Sequence, residues 1–465
     1  MLDSPRLISS ASSALPPHSY HRRFRVAVGI VISLSNLLVL ALGCCSGRSH
    51  GAQASTVLNS LPAGVLCGQR DDGFTHIPPR FNNFMPPERG ASYTDPQYGC
   101  SVTRLTDAKS QFKLAVHHQY STISAVNQDD TRVMMITEWG QGTIVDMAGN
   151  VVVAPRDFPA INTGNVPWAV HPAGAFYYTS GNALYRGSIT GHSVKSAVLH
   201  VFAEYPKVML PDQEDLSEDG DHLWIAGGNQ AFQYTISANS IGPRVNIGTK
   251  DVDCGWHKIQ ITPSNKMLIT WACNGASTGR GQEIYDTDGT LYWHMFDNSL
   301  HSDVGRDLSH NEIAVVGRIP DTYKDACPGG GGADVIRLDP PHSISCLVDL
   351  NWAASHISYR DSTQGWVAIS LFDQGACPGY SCFPQHLEPD WTSVWRHFYE
   401  EVILVKIDGS ATIRLAHHRS RSGEYYWAQS RAAISRDGRY VIFDSNMDEN
   451  TGLNNYSDVY MIKVR

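Results

Sequence analysis

Ala432-Ala433-Ile434-Ser435-Arg436-Asp437-Gly438-Arg439-Tyr440-Val441-Ile442-Phe443-Asp444-Ser445 is the stretch of this chain that decides its fold. A short apolar strand runs into a polar turn, Ser435 to Arg439, and a strand rich in β-branched and aromatic residues follows. Reading back toward the N-terminus, the same pattern recurs seven times from about residue 115 onward. Repeats of roughly 40–50 residues built from β-hairpins specify a propeller. The innermost strands are read at 118–123, 166–170, 213–216, 256–261, 301–308, 356–359 and 428–434. Each leads through a turn into an apolar strand, such as Val133-Met134-Met135-Ile136 or Leu223-Trp224-Ile225. The last repeat supplies only three strands, whereas Ser101-Val102-Thr103-Arg104-Leu105-Thr106 precedes the first repeat and lacks a blade. The expected fold is therefore all-β, a seven-bladed β-propeller whose last blade is completed by this N-terminal strand, which removes an open sheet edge.

The expected organisation is a targeting segment at 1–54, an irregular Pro- and Gly-rich lead-in at 55–100, and the propeller at 101–465. Arg22-Arg23-Phe24-Arg25 precedes an apolar run from about Val26 to Cys45, and Ala52-Gln53-Ala54 suits signal peptidase. Cleavage after Ala54 is the favoured reading. The run is also long enough to act as an uncleaved anchor, the one way a membrane would be involved. Either reading exports the bulk of the chain to a secreted or periplasmic location. Glycine (40) and proline (24) suit a turn-rich β protein. The net charge of −9, with no basic stripe, argues against nucleic acid as a partner. The Gly-x-Ser-x-Gly elbow, phosphate-loop and dinucleotide patterns are absent from strand–helix junctions, which argues against a serine hydrolase or nucleotide enzyme. A monomer is expected.

Eight cysteines follow the targeting segment and fall into sequential pairs: Cys67 with Cys100, Cys254 with Cys273, Cys327 with Cys346, and Cys377 with Cys382. The second pair is equidistant from a point between Pro263 and Ser264, inside a turn, which would bring the two residues face to face across a hairpin. The spacings do not resemble a four-ligand zinc site, so structural disulfides and an oxidising compartment are expected.

The signature 434–445 resembles the repeat of TolB-type propellers, a superfamily that also contains the oligogalacturonate lyases. The likeness covers about three quarters of the chain and specifies fold better than activity.

Topology locates the expected site. The starts of the inner strands and the loops between second and third strands share one rim. The insertions at 273–281, 319–333 and 372–400 lie on it, as do His117, His118, His257, His301 and His356. Nearby polar residues are Tyr120, Lys258, Asp303, Arg306, Tyr359, Arg360, Gln429 and Arg431. Histidine and tyrosine can act as base and acid, and arginine neutralises carboxylates. Together they fit a lyase that cleaves an anionic uronic acid polysaccharide or oligosaccharide by β-elimination. His257, His301, His356, Tyr120 and Tyr359 are the candidate catalytic residues. His118, Lys258, Arg306, Arg360 and Arg431 are the candidate substrate-binding residues. Trp168, Trp256, Trp366, Trp391 and Trp395 could stack on sugars or fill the core. The resemblance implies a divalent metal, manganese or calcium, for which His257, His301, His356 and Gln429 are candidates; a metal-free His/Tyr/Arg site stands equally open. The alternative function is a non-catalytic propeller that binds a glycan or protein at its rim.

Overall fold

The turn that opens the repeat is built by one polar side chain. In a computed structural model, Ser435 Oγ accepts hydrogen bonds from the backbone N–H groups of Arg439 and Tyr440, both at 3.0 Å, and donates to Asp437 Oδ1 at 2.7 Å. Ser217 does the same for Asp221 (3.1 Å), His222 (2.8 Å) and Asp219 (2.5 Å). Asn127 replaces serine in the first repeat, accepting from Thr131 at 2.9 Å and Arg132 at 2.8 Å. The fourth turn position has positive φ in each: Gly438 (+71°), Gly220 (+75°) and Asp130 (+55°). Glycine and aspartate tolerate that left-handed conformation, so the Ser-x-Asp-Gly pattern is a hairpin instruction.

The structure describes residues 60–81, 84–213, 215–273, 280–297, 301–317, 326–328, 331–350, 354–359, 364–372, 395–420, 426–447 and 456–465. The segment 1–54 read above as a targeting sequence, Arg360, Trp391 and the Cys377–Cys382 pair lie outside them. Among the described residues there are seven antiparallel sheets, five of them consecutive stretches of chain and two joined by strands from the N-terminal lead-in, arranged as a seven-bladed β-propeller. Blade 1 spans 116–153, blade 2 175–201, blade 3 208–246, blade 4 256–296, blade 5 301–349, blade 6 354–417 and blade 7 433–463. No helix among the described residues is long and apolar enough to cross a membrane.

Second strands are buried on both faces and so read as unbroken apolar runs. In blade 3, Leu223 and Ile225 pack into the cluster shared with blade 2, while Trp224 and Ala226 pack with Ile259 and Met267 of blade 4. In blade 1, Val133 and Met135 face blade 7, and Met134 and Ile136 face blade 2.

The ring closes as expected. Ser101–Arg104 pairs antiparallel with Asp458–Lys463, with Val102 opposite Ile462 and Arg104 opposite Tyr460. Arg104 Nη2 reaches Asp458 Oδ2 at 2.6 Å, and Asp458 Oδ1 accepts from Thr106 Oγ1 at 2.7 Å and Ala108 N at 2.8 Å. The lead-in adds outer strands, Ser92–Thr94 beside blade 7 and Gln69–Arg70 beside blade 6. Both cover edges that would otherwise be open.

Three of the expected cysteine pairs are within disulfide reach, with Cα separations of 5.0 Å for Cys67–Cys100, 4.9 Å for Cys254–Cys273 and 4.6 Å for Cys327–Cys346. The second pair does not face across its hairpin by simple equidistance from the turn. Ile261 pairs with Met267 and Ile259 with Ile269, so this hairpin is centred on Ser264. A bulge at His257 then shifts the register by one, setting Trp256 opposite Trp271. That shift is what brings Cys254 opposite Cys273.

Candidate functional site

Two histidines that open inner strands of adjacent blades meet at the channel. His301 begins the strand His301–Arg306 and His356 lies in Ala354–Ser358. Their rings stack with centroids 4.8 Å apart and planes 18° from parallel. The ring of Tyr120, from blade 1, stands edge-on to both, at 6.3 Å from His301 and 5.5 Å from His356. His301 Nδ1 bonds the Ser355 carbonyl at 2.6 Å, and His356 Nδ1 bonds the Ser430 carbonyl at 2.9 Å. A carbonyl can only accept, so each Nδ1 carries the proton and each Nε2 carries the lone pair. Burial lowers the pKa of His301 to about 4, with the nearby Lys258 charge as the next cause. Burial, then the charge of His301, pushes His356 well below the ordinary imidazole range. Both rings are neutral bases at pH 7.

Lys258 supplies positive charge beside them. The residue is 3% exposed, and burial lowers its pKa to about 8. With Tyr120, Gln119, His117 and Trp427 it lines a cavity of about 300 Å³ on the rim that carries the inner-strand starts. The His117 ring stacks on Trp427 at 3.9 Å, and the guanidinium of Arg431 lies 4.6 Å from the centre of the Trp427 ring. Arg431 is fully buried, and its Nη1 donates to the Gln429 carbonyl at 3.1 Å.

The other expected residues are placed differently. His257 is the bulged residue of its strand; its side chain is 49% exposed and its Nδ1 bonds Asp251 Oδ1 at 2.5 Å on the cavity rim. The bulge sets it apart from its neighbours Trp256 and Lys258, which are buried. His118 lies at the blade 1–blade 7 seam rather than on the cavity wall. Its backbone N–H donates to Asp444 Oδ1 at 2.9 Å, and its Nε2 lies 3.5 Å from Asp444 Oδ2. Burial lowers His118 to about 3 and raises Asp444, so this pair is held neutral. Arg306 and Tyr359 belong to the opposite mouth. Arg306 pairs with Glu218 at 2.8 Å and donates to the Pro263 carbonyl at 3.3 Å. Tyr359 Oη donates to the Arg306 carbonyl at 2.5 Å and lines a second cavity with Pro263, Glu218 and Arg436. Trp168, Trp256, Trp366 and Trp395 are all buried core residues.

Of the expected metal set, His301 and His356 come together, while His257 bonds Asp251. Among the described residues the group of three His/Cys/Asp/Glu with ligand atoms close enough to share an ion is Cys327, Asp334 and Cys346, of which the two cysteines are joined as a disulfide. Trp427 and Trp139 went unremarked in the sequence. Trp427 precedes the last inner strand as His117 precedes the first, a correspondence that was available.

No family model matches the chain, and no curated protein matches it. Among solved structures, an oligogalacturonate lyase in complex with manganese aligns at TM-score 0.52 and 11% identity, over 81% of this chain and 96% of the lyase. An oligogalacturonate lyase from Vibrio parahaemolyticus aligns at TM-score 0.52 and 10% identity, over the same 81% and 96%. The chain shares their fold. At this identity the likeness establishes architecture and leaves activity to be argued from the residues.

Proposed function

We propose that this protein is a carbohydrate-active propeller that cleaves a uronic acid saccharide by β-elimination in the cavity beside Tyr120, Lys258 and His301. The observation that carries this reading is the stacked, neutral His301–His356 pair with Tyr120 edge-on to it and a charged Lys258 alongside. Protonated Lys258 pairs with the uronate carboxylate and so acidifies the neighbouring C5 proton. His301 Nε2 takes that proton. The C5–H electron pair becomes the C4–C5 double bond, the C4–O bond breaks with its pair on oxygen, and Tyr120 delivers a proton to that oxygen. His356, more deeply buried and tied to Ser430, orients His301 by stacking. Trp427 walls the cavity, with the Arg431 guanidinium over its ring.

The three disulfides support an oxidising compartment, and an exported protein meeting its saccharide outside the cytoplasm fits this reading. The direct test is ultraviolet absorbance from unsaturated sugar ends across a panel of uronic acid polymers. His301→Ala is expected to lower the rate at least a hundredfold. Saccharide binding with no unsaturated product on any polymer would assign a glycan-binding module instead.

A further inference from the structure

The cavity continues onto the turn between the blade 1 strands Arg132–Thr137 and Gly142–Asp146. Glu138 and Gly140 both line it, and between them Trp139 is 73% exposed. The turn is fixed. Gly140 N donates to the Thr137 carbonyl at 2.8 Å, Thr137 N to the Gln141 carbonyl at 2.9 Å, and Glu138 N to the Ala115 carbonyl at 3.0 Å. Gly140 closes it at φ +76°, which a side chain would oppose. An indole is among the largest apolar surfaces a chain can bury. Here a hydrogen-bonded hairpin holds it in water between two residues of the cavity lip.

Charge is divided between floor and lip. Lys258 on the wall is cationic below about pH 8. Glu138 at the lip forms no ion pair among the described residues, whereas Asp212 on the same cavity is paired with Lys250 at 2.8 Å. About 300 Å³ is at the small end of ligand sites, so the rest of a bound chain must pass over this lip. A homopolymer of uronic acid would bring its next carboxylate against Glu138. An uncharged pyranose would lay its apolar face on Trp139 without that conflict.

We propose that the site selects a saccharide in which a uronic acid is flanked by an uncharged pyranose, the carboxylate toward Lys258 and the uncharged ring on Trp139. This rests on the cavity being a saccharide site, as argued above, but not on catalysis.

Calorimetry on the intact protein tests it with hyaluronan and unsulfated chondroitin tetrasaccharides, which alternate uronic acid with N-acetylhexosamine, against tetragalacturonate. At least one alternating chain is expected to bind ten times more tightly than tetragalacturonate. Trp139→Ala is expected to remove that tenfold preference, and Glu138→Gln to narrow it by strengthening tetragalacturonate alone. Equal or tighter binding of tetragalacturonate, an unchanged preference in Trp139→Ala, or no binding of any chain overturns the proposal. Unsaturated ends are measured in parallel. The expected binding pattern without them would sink the lyase reading and leave this selectivity standing; turnover indifferent to Trp139 would do the reverse.

Discussion

Replacing Lys258 with methionine is expected to stabilise the fold while removing the site's anion-binding charge. Lys258 is 3% exposed, and burial lowers its pKa from 10.5 to about 8. The unfolded chain therefore holds this proton more tightly than the native one. Between about pH 8 and 10.5 the unfolded state carries more protons, so stability rises with pH through that window. Below about pH 8 the penalty is fully present, and it amounts to roughly 3 kcal/mol at about 1.4 kcal/mol per pKa step. Methionine keeps most of the stem and discards the ammonium. At pH 7, Lys258→Met is expected to raise the unfolding free energy by roughly 1–3 kcal/mol, and the gain should shrink toward zero by about pH 10. Urea denaturation of both proteins at the two pH values reads this directly, provided the slopes agree. The same charge governs binding. The wild-type lysine is about 90% protonated at pH 7 and about 10% at pH 9, so affinity for a uronate saccharide should fall about tenfold across that interval. A variant less stable at pH 7, or a gain independent of pH, would refute the view that burial of an ammonium dominates at this position.

If His301 is the base and Lys258 the carboxylate partner, kcat/KM should rise through about pH 4 and fall through about pH 8, the values set for these groups by burial. Lys258→Arg should lift the basic limb above pH 9, since guanidinium stays charged; an unmoved limb would exclude Lys258 from that role. Asp458→Ala would strand the buried guanidinium of Arg104, an expected cost of about 3–5 kcal/mol in chemical denaturation; near-wild-type stability would mean the seam is held elsewhere. Replacing Cys254 and Cys273 together by serine opens a loop with a sequence separation of 19. The expected loss is about 3 kcal/mol, seen as a lower Tm that reducing agent does not lower further.

The fold was legible because its instruction is local. A serine or asparagine that folds back on the next four residues, followed by a strand apolar on both faces, needs no long-range information, and it recurs. The closing strand could be inferred by counting, since 101–106 was a strand without a blade. The site was legible only in part. His301 and His356 were found because each opens an inner strand, and adjacent blades place such residues side by side. Arg306 and Tyr359 were grouped with them by proximity in sequence. A six-residue strand advances roughly 17 Å, enough to carry Arg306 to the other mouth. The direction of His257 was not legible, because strict alternation assumes an unbroken ladder and nothing local announces a bulge. The disulfide pairing contained that information: its midpoint is half a residue away from the true centre of the hairpin. Trp139 sits in a turn, where period-two reasoning gives no direction at all.

The pairing of 101–104 with 458–463 also sets an order of events. During synthesis the first of these strands leaves the ribosome some 350 residues before its partner, and joining such distant segments is slow and entropically costly. Until then blade 7 cannot exist, blades 1 and 6 each lack one neighbour, and their apolar faces stay open to other chains. The growing polypeptide is thus most vulnerable to sticking just before 458–463 emerges, and help from a chaperone would matter most at that moment.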